Sequence, residues 1–469
     1  MTQLTTPPRA PVPSGYRHPA VPGPSGQPAG PFEILVPGRR PPAVSQRRAA
    51  LRTTFEGTPG HLRLLGITAV LSCLVLSLVG FGAFTARANA LASARADAAQ
   101  LIRVQEIATQ LVAADSLFTN GYLADGFESA TNLAGYDEAI REASSLIAEA
   151  AAAKPSDARA LAAVNDGLTE YTARVASARA NNVHAYQVST GYLRQANVLL
   201  RGDGGTGQVK GMLPALQTLM TDSAGRVDAA YDDSRLATWL LLFTVLVTVG
   251  GLVTVQVRLA RRTHRYLNVP LVASTVIALL VLGVGAVVMM SAQTQADDVR
   301  DTSYRVLQNV ARARIEAYTA KSAESITLIY LGTGGGHAAA QKQFQESTRE
   351  ASERLRDVAA ASRGPAGRAE LAAWQAKHAA VLKLAASDYR SAAKEATKNA
   401  SDPASLNGSF AALEKATDIA LEAHAASVDR GLLAGRGPLL VLSWLAILAG
   451  LVAAVSSWAG IAQRLEEYR

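Results

Sequence analysis

Four uncharged apolar runs punctuate the chain, at Leu64–Ala86, Leu236–Val257, Val269–Met290 and Pro438–Ala462. Each has about the 20 residues that an α-helix needs to cross a hydrocarbon layer of roughly 30 Å. The pattern therefore predicts four transmembrane helices. Between the first and second runs (87–235), and between the third and fourth (291–437), lie two long alanine-rich stretches with apolar residues three and four apart, the spacing of helices with one buried face. In the first, Leu101, Val104, Ala108, Leu111, Phe118 and Tyr122 form one seam once Asp115 takes its place in the series, and Leu161, Val164, Leu168, Tyr171, Val175 and Ala178 form another. The second stretch carries Val299, Ser303, Val306, Val310, Ala313, Ala317, Ala320 and Glu324 at the same spacing. Helix breakers fall at Gly121–Gly126, Lys154–Asp157 and Gly202–Gly207, then at Gly332–Gly336, Arg363–Pro365 and Ser401–Pro403. Each stretch is thus expected to fold as a four-helix bundle that returns the chain to the membrane where it left.

The two halves share their order of breaks. Tyr122-Leu123 matches Tyr330-Leu331, and Leu161-Ala162-Ala163-Val164 matches Leu371-Ala372-Ala373-Trp374, at offsets of 208 and 210. The expected architecture is an all-α membrane protein built from a tandem duplication of one unit: span, bundle, span.

Charge then orients it. The segment joining the central spans, 258–268, carries Arg258, Arg261, Arg262 and Arg265 and no acid, which places it in the cytoplasm of a plasma-membrane protein. Both termini are then inside and both bundles outside. Residues 1–63 hold thirteen of the nineteen prolines, with a basic excess, and read as a disordered cytoplasmic arm whose one apolar cluster is Phe32–Val36. Leu64–Ala86 is longer than a secretory h-region, so it is expected to stay as an uncleaved anchor despite the small residues that follow it.

The overall charge of +8 has this topological origin, and no basic segment interleaves aromatics as a nucleic-acid reader would. The only cysteine, Cys73, lies in an apolar run, so no disulfide or cysteine-zinc site forms within one chain. The seven histidines are scattered without metal-ligand spacing. Neither glycine run ends in Gly-Lys-Ser/Thr, and no hydrolase, kinase or metalloprotease pattern occurs. No catalytic centre, cofactor or metal is therefore expected. The spans hold no ionisable residue, which argues against an ion-coupled carrier. What is left is detection outside and relay to another protein inside.

Two sets of residues are candidates for that work. Asp115 and Glu324 sit at comparable places on buried seams, where an unpaired acid is costly. Each could receive a ligand or partner cation, or pair with a bundle cation to fix register. The four arginines of the central turn set topology, contact anionic lipids and could dock a cytosolic partner.

The layout is similar to the four-helix sensor bundles of chemoreceptors, without their HAMP and signalling domains. From Leu64 onward it more closely resembles the GlnX family of actinobacterial four-span membrane proteins. The local match is Tyr192-Leu193-Arg194-Gln195-Ala196-Asn197, Leu199-Leu200 and, after a glycine loop absent from the family pattern, Met212-Leu213-Pro214-Ala215-Leu216. The resemblance implies sensing of amino acids of glutamate or aspartate class through a solute-binding lipoprotein outside, with relay to a Ser/Thr kinase, protein kinase G, inside. It carries over no site residue. A direct small-ligand sensor and a structural or auxiliary transport subunit of the envelope are the alternatives, and association between copies of the chain is left open.

Overall fold

The computed structural model describes residues 58–123, 128–182, 186–203, 210–263, 269–333, 336–362 and 366–466. The proline-rich arm with its Phe32–Val36 cluster, and Arg265 of the central turn, lie outside the described residues. Within them the chain forms twelve α-helices and no strands.

The first helix, α1 (Thr58–Leu123), is 66 residues long, about 100 Å at 1.5 Å per residue. Pro59 sits in its first turn, where no intrahelical N–H is needed, and no proline follows until position 155. The first apolar run and the first buried seam thus belong to one unbroken rod. The chain then forms α2 (Ala130–Ala153), α3 (Ala158–Asn182), α4 (Tyr186–Arg201) and α5 (Met212–Thr263). Ser129 caps α2 by accepting from the backbone N–H of Asn132. The second half repeats the order: α6 (Val269–Val299), a π-helical turn at Arg300–Tyr304, α7 (Arg305–Thr333), α8 (Ala338–Ser362), α9 (Arg368–Ala385), α10 (Tyr389–Ala396), α11 (Leu406–Ala434) and α12 (Arg436–Glu466).

Four helical stretches are long and apolar enough to cross a membrane: Arg63–Leu123, Trp239–Arg261, Val269–Thr333 and Leu406–Gln463. Their outward faces are apolar, with Trp239 at 71%, Leu246 at 72% and Val455 at 69% exposure, as lipid contact demands. Their inward faces use small and hydroxyl residues. Ser457 Oγ donates to Ser274 Oγ at 2.9 Å, Ser274 Oγ donates to the Ala453 carbonyl at 2.9 Å, and Ser77 reaches the Ala446 carbonyl at 3.2 Å.

Each stretch that the sequence divides into four helices contains five. The third ends at Asn182 in the first copy, with α4 starting at Tyr186, and is broken at 386–388 in the second, so α3/α4 and α9/α10 are short helix pairs. In the first copy α4 descends beside α3, with Ser189 Oγ donating to the Ala178 carbonyl at 2.7 Å. The backbone of Gly211 then returns against Gly202, so α5 starts where α4 stops. The two helices thus follow one another as a descending column, not as an antiparallel pair. The predicted seams of α1 and α3 are buried as read. Without Gly or Pro to stop it, α5 continues through Arg258, Arg261 and Arg262 to Thr263.

The two extramembrane stretches are not separate bundles. They pack together through the distal halves of α1 and α7, and α7 has buried residues on all its faces, Arg314, Lys321 and Glu324 included. The connections to the spans differ. In the first copy α1 and α5 pass unbroken, whereas in the second the π turn separates α6 from α7 and Gly435 separates α11 from α12.

Candidate functional site

Asp115 and Glu324 lie on α1 and α7, in the middle of this shared core. Asp115 is 2% exposed and is fully engaged: it accepts from the Tyr171 hydroxyl at 3.2 Å, from Arg201 Nη1 at 2.9 Å and from Ser322 Oγ of the second copy at 2.7 Å. Burial, reinforced by the Asp115 charge, pushes the Tyr171 hydroxyl well above the usual tyrosine value, so it remains a donor. Glu324 is 1% exposed and is held by Lys321, by Trp374 Nε1 at 2.9 Å and by His378 Nδ1 at 3.3 Å. His378 stacks on Phe344 with ring centroids 3.7 Å apart. Burial alone would raise the Glu324 carboxyl, but the Lys321 ammonium and His378 bring it below the usual glutamate value. In each copy the ascending helix supplies the acid, and the third helix, α3 or α9, supplies a neutral donor to it. Both acids are spent on these internal contacts, and neither lines either of the two clefts between the copies.

The open space lies beside them, between the copies. A first cleft of about 370 Å³ is walled by α1 and α2 of one copy and by α7, α11 and the 397–400 segment of the other. A second, of about 510 Å³, is walled by α7 and α8 of the second copy and by α1, α5 and Arg201 of the first. Exchanging the copies exchanges these walls: α1 for α7, α2 for α8, α5 for α11. The clefts are therefore two versions of one feature, placed on either side of the α1–α7 contact.

Their linings differ in chemistry. In the first, the amides of Asn120, Asn132 and Asn407 are tied together: Asn132 Nδ2 donates to Asn120 Oδ1 at 3.1 Å, and Asn120 Nδ2 and Asn407 Nδ2 both donate to the Ala396 carbonyl, at 3.1 and 3.0 Å. Most of its charges are paired: Arg314 meets Asp418 at 3.0 Å, Lys398 meets Glu395, Glu138 meets Arg141 and Lys321 meets Glu324, while Glu414 accepts from the neutral Tyr318 hydroxyl. The second cleft is lined by Arg201, Arg312, Arg354, Glu316 and Glu350. Among the described residues no three potential metal ligands gather.

Arg258, Arg261 and Arg262 sit at the far end of the 52-residue α5 from its cleft residues. The cleft residues were missed by the sequence reading. Their signal was a run of charges, Arg312, Arg314, Glu316 and Lys321, on a helix that also carries a buried seam, a combination that a solvated face does not require.

Fold and clefts together define a four-span, all-helical membrane protein with a duplicated extramembrane body. Residues 90–232 match the family model of an actinobacterial sensor domain. The matched range begins on α1 beyond the first apolar run and ends on α5 before the second, so it covers the extramembrane part of the first copy. The match supports a sensing or signalling role. Neither a curated protein nor a solved structure matches the chain.

Proposed function

We propose that the protein is a non-enzymatic transmembrane transducer of GlnX type. Its duplicated body stands outside the plasma membrane and reads extracytoplasmic amino acids through a solute-loaded lipoprotein, and its inner face relays the state to a cytosolic Ser/Thr kinase. The observation that carries the reading is α1, a single rod from one end of the first span to the core between the copies. A sliding or rotation of its distal half is transmitted to the membrane without an intervening hinge. The actinobacterial sensor-domain match to the segment that contains this distal half supports sensing there.

Pull-down of the full chain in mild detergent tests the partners, and amino-acid responses that depend on the kinase, measured in a deletion strain, test the relay. Recovery of both partner classes and loss of the response are expected. Recovering neither, or an intact response, would overturn the proposal. Neutralising Arg258, Arg261, Arg262 and Arg265 while topology is preserved is expected to weaken signalling through lost contacts with anionic lipid and the kinase.

A second reading, direct detection of a small ligand by the body itself, is favoured by the paired clefts. A ligand seated between the copies would bias their relative position without any partner.

A further inference from the structure

Two opposite charges in the second cleft, on one helix, stand without a direct ion pair among the described residues. Arg201 is engaged by Asp115, and Arg354 pairs with Glu350 at 3.0 Å. Arg312 and Glu316 form no ion pair among the described residues. Both are half-buried on α7. Burial, together with the neighbouring Arg354 guanidinium, holds Arg312 below the ordinary arginine value. Burial, together with Glu350, pushes the Glu316 carboxyl up against the opposing pull of the Ser347 hydroxyl. Glu350 acts on Arg312, and Arg201 and Arg354 act on Glu316, as opposite charges. Neither group makes a direct ion pair among the described residues, so each keeps room on its charged end for a ligand group.

Their spacing matters as much as the absence of a direct ion pair. Residues four apart on a helix share a face, with Cβ atoms about 6 Å apart. The cleft thus offers one cation and one anion side by side, each backed by a second residue of its own sign from α8, across a space of small-molecule size. We propose that this cleft binds a small zwitterion, its carboxylate received by Arg312 and Arg354 and its ammonium by Glu316 and Glu350. Guanidinium groups match a carboxylate in a planar, bidentate way. A dicarboxylate would set its second charge against Glu316, and a diamine would set one against Arg312. The walls come from both copies, so the occupant bridges them. Signalling by this occupant rests on the direct-sensing reading above, whereas its binding does not.

The test uses the full chain in lipid nanodiscs, with calorimetry and thermal unfolding against free amino acids, succinate and putrescine. An amino acid is expected to bind and to raise the unfolding temperature, with succinate and putrescine at least tenfold weaker. Arg312→Gln is expected to weaken binding more than tenfold, as is Gln217→Trp, which keeps every charge and fills the cleft from α5. Absence of binding across the panel, succinate binding as well as an amino acid, or unchanged affinity in both variants would overturn the site. Such a failure beside successful lipoprotein and kinase pull-downs leaves the transducer reading standing, so the two proposals fail separately.

Discussion

At the scale of the residue, the same position in two copies is neutralised by different chemistry. Asp115 relies on an arginine and two hydroxyls, and Glu324 on a lysine three residues before it, an indole and an imidazole. Removing either acid orphans buried donors. Asp115→Ala leaves the Tyr171 and Ser322 hydroxyls unpaired and Arg201 without its counter-charge, so it is expected to cost about 3 kcal/mol, read by denaturant unfolding in detergent. Glu324 carries a pH signature. Its carboxyl titrates lower in the folded protein than in the unfolded chain, so its stabilising contribution is complete above the ordinary glutamate range and is lost as pH falls through the depressed folded value. Thermal unfolding followed down the acid limb is expected to fall less steeply for Glu324→Gln than for the parent protein.

The same residues show what the sequence reveals about a site. Periodicity exposed both acids because each interrupts an apolar seam. It could not tell an acid that awaits a ligand from one already paired, since Arg201 lies 86 positions from Asp115 and Trp374 lies 50 from Glu324. Arg312 and Glu316 were harder still. Their importance is the absence of a direct ion pair in a half-buried cleft, and that exists only once the surrounding helices are in place.

At the scale of the element, spans, seams and most breaks were legible because each has a local cause: a run without charge, a 3.6-residue period, a glycine or a proline. The extra break in each copy has a quieter one. In the first copy it follows Asn181-Asn182, residues that readily end a helix, and in the second Asp388 caps α10 by accepting from the Ser391 N–H at 3.1 Å. The column formed by α4 and α5 depends on Gly211, whose φ of +60° suits glycine and whose added Cβ would lie 2.3 Å from the Gly202 nitrogen. Gly211→Ala is expected to destabilise the first copy by about 1–2 kcal/mol. In the membrane, a Cβ on Gly450 would lie 2.3 Å from that of Ser77. Gly450→Val is therefore expected to wedge α12 from α1 and lower the unfolding temperature, where a lipid-facing change such as Val455→Leu would not.

At the scale of the whole molecule, the duplication was legible but its closure was not. Nothing local says that α1 of one copy must lie against α7 of the other, because the contact joins positions some two hundred residues apart, as Ser322 and Asp115 do. That packing makes the clefts and puts the proposed input beside the proposed output rod. Inserting Gly-Pro after Ala86 is expected to abolish signalling, read as the kinase-dependent response, while leaving ligand or lipoprotein binding intact; retained signalling would count against a rigid relay.

The π turn at Arg300–Tyr304 gives the two arms unequal stiffness. A π turn interrupts the regular i→i−4 ladder and is expected to yield under torque sooner than the continuous helix at the equivalent level of α1. On the proposed relay, one copy is expected to act as a lever and the other as a bearing, with strain between them released around the third span. In hydrogen exchange, the amides of residues 300–304 should lose protection well before those of α1 at the same height, and an added ligand should slow them first.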